Sequence, residues 1–318
     1  MISFSTDDLR PQDRFDHWCE VRGKSLFGVT IELERERRAD FHGRFSAVTI
    51  GNATLAEMSA SSYRVSRTPS DIARVAGDSL SIGLQIRGPG HMNTGRDRVH
   101  RVREGDVTVS HSDLPFAATP ERSDGFHFRA LKIPLTGDIA LDARARDLLP
   151  EALGREARLT RLIAAMFTAL SERQQHTAAP TADIEHIARL ALLARGRLAT
   201  GLPESRAALR AGYLHAARAI MKRNLHRPDL SPATVAAEIA ISLRQVHVLF
   251  EPTGLSFART LTAMRLEEAR RQLQTMPARS VAEIAYACGF DSIATFYRVF
   301  RASFGMTPGD VRMASLNA

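Results

Sequence analysis

The sequence predicts an α+β protein in three parts: an antiparallel β-barrel, a helical extension, and an all-α C-terminal domain made of two helix-turn-helix motifs. Three observations predict it. Short apolar runs broken by Gly, Pro, Asp and Asn fill the first 140 residues, helically spaced apolar residues follow, and the last third states one pattern twice, 49 to 50 residues apart. The expected boundaries are 1–141, 142–204 and 205–318. A chain of 318 residues has the length for two domains, each burying its own core.

In the first part, Phe45–Ile50, Leu80–Ile86, Val107–Ser110 and Phe126–Ile133 read as strands. Glu104, Gly105 and Asp106, just after Val102, read as a tight turn between two of them, a recurrent feature of double-stranded β-helix barrels. Arg14, Phe15 and Trp18, running on to Val21, suggest an N-terminal helix packed on the barrel.

From about Asp142 to Ala199, two apolar stripes recur at helical spacing: Leu159, Leu162, Ile163, Met166, Phe167 and Leu170, then Ile184, Ile187, Leu190, Ala191 and Ala194. The stretch Thr177–Thr181, with Pro180, separates the two helices. Such a pair either packs on the barrel or meets a second subunit. Gly201 and Pro203 mark 200–205 as a linker.

Each copy of the C-terminal repeat is a short apolar helix, a tight break, and a helix ending on Phe. In the first, Val246, Leu249 and Phe250 fall at i, i+3 and i+4 and share a buried face. Arg244, His247 and Val248 lie opposite with the same spacing, as a recognition helix presents side chains to base edges in a major groove. In the second, Phe296, Val299 and Phe300 point in while Ala294, Thr295 and Arg298 point out. Ser242, and Asp291 or Ser292, are candidate N-caps. Gly289 stands where the second turn needs a left-handed backbone. Its equivalent is Ala240, which is either strained by about 1 kcal/mol or marks a slightly different turn. A plain helical bundle also contains paired short helices; the duplication and the charge favour nucleic acid. Residues 205–318 hold 15 Arg or Lys against 8 Asp or Glu, so +7 of the chain's +8 lies with the motifs.

Dense motif residues carry a resemblance over the last 110 or so positions. The second motif has Ile284, Ala285, Cys288, Gly289, Phe290, Phe296, Arg298, Phe300, Phe304, Gly305, Thr307, Pro308 and Arg312. The first has Ala236, Ser242, Leu249, Phe250 and Gly254, followed by Arg265, Leu266, Ala269 and Leu273 on the joining helix. This part resembles the DNA-binding domain of the AraC/XylS transcription regulators. The resemblance implies base contacts from Arg244, Gln245, His247 and Val248 in one recognition helix and Ala294, Thr295 and Arg298 in the other, with phosphate contacts at Ser242, Ser292 and Thr307. Position 248 is often Arg in relatives. As Val and Ala, positions 248 and 294 reach thymine methyls at most, which places the weight on Arg244, His247 and Arg298. Arg298 has a second reading, as a fold anchor paired with a carboxylate. The joining helix, roughly Ser256–Leu273, spans about 27 Å at 1.5 Å per residue; with its flanking turns it spaces the recognition helices for successive major grooves about 34 Å apart on double-stranded DNA. Thr307 and Pro308 open a last helix whose N–H groups suit a phosphate.

The N-terminal part resembles, more loosely, the cupin-like sensor half of one AraC-type subgroup. That implies a small-molecule effector, often an aromatic or amine compound in such proteins, a homodimer, and a surface for RNA polymerase in an activator. A cupin metalloenzyme fused to a DNA-binding module is one alternative; a barrel that only dimerises an effector-independent DNA binder is another. Metal ligation needs a tight His cluster with a carboxylate. His91, His100, His111 and His127 are scattered singly, so no metal, cofactor or catalytic residue is expected. No triad, phosphate loop or dinucleotide fingerprint is apparent either. The opening MISFSTDDLR lacks a secretory signal, no apolar run approaches a bilayer span, and the two cysteines, Cys19 and Cys288, imply no disulfide framework. A cytoplasmic protein free of the membrane is the expectation.

Overall fold

The computed structural model describes residues 2–95, 98–135, 143–173 and 181–316. The chain divides into two compact units, Met1–Gly212 and Tyr213–Ala318. The expected boundary at 204/205 and linker at 200–205 fall differently: a helix runs Pro203–Arg223, and the division lies inside it. Gly201 and Pro203 start this helix, Pro at the first helical position having no N–H that needs an intrahelical partner. The expected 141/142 boundary and most of the Thr177–Thr181 break lie outside the described residues.

Among the described residues twelve strands build the first unit: β1 (Ile2–Ser5), β2 (Thr30–Glu32), β3 (Gly43–Ile50), β4 (Ala53–Ala60), β5 (Arg64–Arg67), β6 (Ser79–Arg87), β7 (Gly90–Asn93), β8 (Val99–Val102), β9 (Val107–His111), β10 (Phe116–Pro120), β11 (Phe126–Pro134) and β12 (Glu151–Leu153). They form two antiparallel sheets, in the orders β1-β3-β4-β11-β6-β9-β12 and β2-β5-β10-β7-β8. The four strands read from alternation are β3, β6, β9 and β11, all interior strands of the larger sheet. The turn after Val102 is present, with Gly105 at φ 86° and Asp106 N–H bonded to the Arg103 carbonyl at 3.0 Å.

Two-residue periodicity sorts the larger sheet's faces. Leu80, Ile82, Val107, Val109, Leu131 and Ile133 are completely buried on one face; Ser81, Thr108, Ser110, Phe128, Ala130 and Lys132 alternate with them and face a cavity. Helix α1 (Pro11–Trp18) lies at the other end of the sheet, with Phe15 and Trp18 buried among Phe41, Phe45, Met58 and Tyr63, and a short α2 covers Pro69–Arg74. Helices α3 (Arg158–Arg173) and α4 (Thr181–Ala194) pack on each other and reach β9 and β6. Their stripes are buried within the subunit from Leu162 to Leu170 and from Ile184 to Ala191, with Leu159 and Ala194 half-buried at the ends. The stripes therefore serve the subunit's own core, and any partner subunit would meet other faces.

The second unit continues α5 (Pro203–Arg223) into α6 (Pro232–Glu238), α7 (Leu243–Phe250), α8 (Phe257–Thr275), α9 (Val281–Ala287), α10 (Ile293–Phe304) and α11 (Pro308–Leu316). The joining helix α8 begins after Ser256, whose hydroxyl accepts the Arg259 N–H. Its 19 residues extend about 28 Å. Leu266, Ala269 and Leu273 on α8 pack with Ile284, Ala285, Cys288, Phe290, Phe296 and Phe300 as one core.

Candidate functional site

The first helix-turn-helix is α6 and α7, which bend by 106° across their break, the geometry of such motifs. Both turns are built alike. The Ile241 N–H bonds the Ala236 carbonyl at 3.0 Å and the Ala240 N–H that of Ala237 at 3.3 Å; the Phe290 and Gly289 amides repeat this toward Ala285 and Tyr286. This is a paired Schellman closure, which requires a left-handed residue just past each helix. Ala240 supplies it at φ 55° and Gly289 at φ 81°, so the first turn keeps the shape and carries the strain. The surroundings explain why one copy accepts Ala. Ala240 is exposed, whereas a Cβ on Gly289 would lie 2.3 Å from the Leu225 carbonyl oxygen. That oxygen is fixed by the Arg265 Nε of α8, 2.9 Å away.

The second turn is one residue longer, Asp291 being the addition, so the N-cap is Ser292 and the helices α7 and α10 match at an interval of 50. Ser242 accepts the Gln245 N–H at 3.2 Å, and the Gln245 side-chain oxygen accepts the Ser242 N–H at 2.9 Å. Ser292 accepts the Thr295 N–H at 3.3 Å. Both serines therefore stiffen the N-terminus of a recognition helix.

Val246, Leu249, Phe250, Phe296 and Phe300 are buried as expected, and Val299 is half-buried against the same core. Arg244, Gln245, His247, Ala294, Thr295 and Arg298 are exposed; Val248 is half-buried. Among the described residues Arg244, His247 and Arg298 have no hydrogen-bond or ion-pair partner, and no carboxylate anchors Arg298. An interval of 50 also pairs His247 with Tyr297, which is exposed and was not among the outward residues read from the sequence. Leu243, exposed on the first turn of α7, was missed as well. Thr307 is placed differently from expectation. Its N–H is taken by the Asp310 carboxylate at 2.8 Å and its hydroxyl by the Asp310 N–H, so a carboxylate already occupies the N-terminus of α11 and would repel a phosphate.

The first unit holds a cavity of about 220 Å³ between its sheets. Aromatic and apolar side chains, among them Phe27, Phe126 and Phe128, make most of its wall. Sequence reasoning nominated none of these residues. The one local signal is β11, where Phe126, Phe128, Ala130 and Lys132 form an inward series ending in a charge. The scattered histidines stay separate: His127 pairs with Glu57 at 2.6 Å, His111 with Asp78 at 3.2 Å and His91 with Glu121 at 3.4 Å. Among the described residues no group of three or more His, Cys, Asp or Glu is arranged to hold a metal ion. Cys19 and Cys288 are free thiols, each pushed up to about 11 by burial. No single described helix is long and apolar enough to cross a membrane.

A duplicated helix-turn-helix unit joined to a two-sheet unit with an internal cavity defines a DNA-binding regulator with a ligand-binding domain. An AraC-binding-like domain matches residues 18–199 and a helix-turn-helix domain matches 235–314. The chain belongs to the AraC family of DNA-binding transcription regulators. It is 30% identical to the transcriptional activator NphR of Rhodococcus sp, over 97% of this chain and 92% of that protein. It is 42% identical over 79 residues to the transcriptional activator RhaS of Escherichia coli, 24% of this chain and 28% of the relative. Among solved structures, the AraC-like transcriptional activator CuxR shares the fold at a TM-score of 0.51 and 20% identity, covering 90% of this chain and all of that one.

Proposed function

We propose that this regulator is an activator that reads a bipartite, non-palindromic site through α7 and α10, under the control of a small molecule held in the N-terminal cavity. The observation that carries the reading is the pair of exposed helix faces, each bearing an arginine without a protein partner, in the stretch 205–318 that holds +7 of the chain's +8 charge. Arg244, Gln245, His247, Thr295, Tyr297 and Arg298 supply polar readout, while Val248 and Ala294 suit thymine methyls. Ser242 and Ser292 keep exposed helix N-termini close to phosphates. The length of α8 supports placing the two recognition helices in successive major grooves. Effector binding then shifts the population in which both motifs engage together. A homodimer, contact with RNA polymerase and a cytoplasmic location complete the proposal, supported by the family and by the activator names of the relatives.

Genome-wide mapping of bound sites, followed by footprinting of the sites found, tests it. Two protected patches about 10 base pairs apart on one face of the duplex are expected. A single patch would refute two-motif reading, and full occupancy that no cavity ligand alters would leave a constitutive regulator.

A further inference from the structure

The cavity wall contains a buried positive charge that no other described residue answers. Arg22 is 8% exposed and lines the cavity. Its Nη2 donates only to the Met58 sulfur at 3.3 Å, a weak acceptor, and its Nε and Nη1 have no partner. Its guanidinium lies 4.9 Å from the Phe27 ring centroid and 5.8 Å from that of Tyr63. Those rings favour the cation without supplying a counter-charge. An arginine does not escape burial by losing its proton, and buried charges are normally paired.

Two further groups on the same wall share the deficit. The Tyr63 hydroxyl is buried without a hydrogen bond; burial pushes the phenol up, against smaller opposing effects of the Arg22 charge and then the Trp18 indole. Lys132, half-buried at the end of the β11 series, lies 5.7 Å from the Phe27 centroid, on the ring that Arg22 also meets. Among the described residues it has no ion-pair partner, and burial followed by the nearby Arg67 holds its pKa down. Arg67 itself is satisfied, by Asp113 and four backbone carbonyls. Among the described residues no Asp or Glu lines the cavity.

We propose that this cavity is an organic-anion site, in which Arg22, Tyr63 and Lys132 hold the carboxylate of a small molecule whose apolar body lies among Phe27, Phe126 and Phe128. A buried guanidinium with unpaired N–H groups suits a carboxylate in charge and in hydrogen-bonding capacity. The volume suits a one-ring or short aliphatic acid, since a cavity of about 150 Å³ already holds benzene. An amine would add a further cation to a wall that already carries Arg22 and Lys132, so the assignment narrows the aromatic-or-amine expectation to acids. It rests on reading the cavity as the effector site.

Titration calorimetry on the full chain with benzoate, phenylacetate and octanoate, each beside its amide and the corresponding amine, tests the assignment. At least one acid is expected to bind saturably, with its amide and amine weaker by about tenfold or more. Arg22→Met should lose acid binding by a similar factor while raising the melting temperature of the ligand-free protein, because a buried unpaired charge is gone. Lys132→Met, at a half-buried site, should also weaken the acid and guards against an Arg22 variant that fails to fold. Equal or tighter binding of amine or amide, no binding by any of the acids at millimolar concentration, or unchanged acid affinity in a folded variant overturns the proposal. Acid binding that leaves promoter occupancy and transcription unchanged would sink effector control and keep the anion site, so the two failures are distinguishable.

Discussion

Gly289→Ala is the sharpest test of how the repeated motif is built. The new methyl group forces an L-residue to φ 81°, which costs about 1–2 kcal/mol. It also lands 2.3 Å from the Leu225 carbonyl oxygen. Retreat of that oxygen would break its bond to Arg265, so an overpacking cost of about 1–3 kcal/mol adds to the strain. A loss of about 3 kcal/mol follows, or about 2 M in urea midpoint if m is about 1.5 kcal/mol/M. The reciprocal change, Ala240→Gly, relieves about 1–2 kcal/mol of strain at an exposed site and gives back about 0.4–1 through the freer unfolded chain. A net gain of about 0.5–1 kcal/mol is expected. Both are read by urea unfolding of the full chain, followed by circular dichroism and by DNA affinity to isolate the C-terminal unit. An unchanged midpoint for Gly289→Ala, or destabilisation by Ala240→Gly, would refute the reasoning.

Phe296→Ala removes a completely buried ring that stacks 5.0 Å from Phe290 and 5.3 Å from Phe300, and should cost about 3–5 kcal/mol in the same assay. Arg244→Ala and Arg298→Ala should each weaken specific DNA binding by about 1–3 kcal/mol without altering stability, while Glu267→Ala on α8 leaves sequence preference unchanged; electrophoretic titration decides, and full binding by both arginine variants would remove the contacts. Glu57 is held down to about 2 from 4.5 by its bond to His127 and then by Arg129. The folded state thus gains from the ionised carboxylate above about 4.5 and loses that gain as pH falls toward 2. Glu57→Gln should flatten the acid side of the melting-temperature profile, and a profile parallel to the parent's would discount the pair.

Periodicity alone was enough for the recognition helices, the strands β3, β6, β9 and β11, and the stripes of α3 and α4, because each records which way side chains face along a single element. The duplication likewise located the Schellman turns, down to the strained Ala240, since a tight turn writes its backbone need into one residue. Tyr297 was harder: it stands 50 after His247, but an aromatic beside Phe296 and near Phe300 does not announce an exposed position. Thr307 misled because its capping partner, Asp310, uses the same helix end that a phosphate would. What only the tertiary structure decided is where distant segments meet. Arg22 follows the first helix, Tyr63 stands between β4 and β5, and Lys132 ends the β11 series; no spacing relates them, and their missing counter-charge becomes visible only when two sheets close around a common space. The same holds for Gly289, whose intolerance of a methyl group is set by a carbonyl 64 positions earlier in the chain. Local pattern determines orientation, whereas burial and pairing depend on which segments the fold brings together.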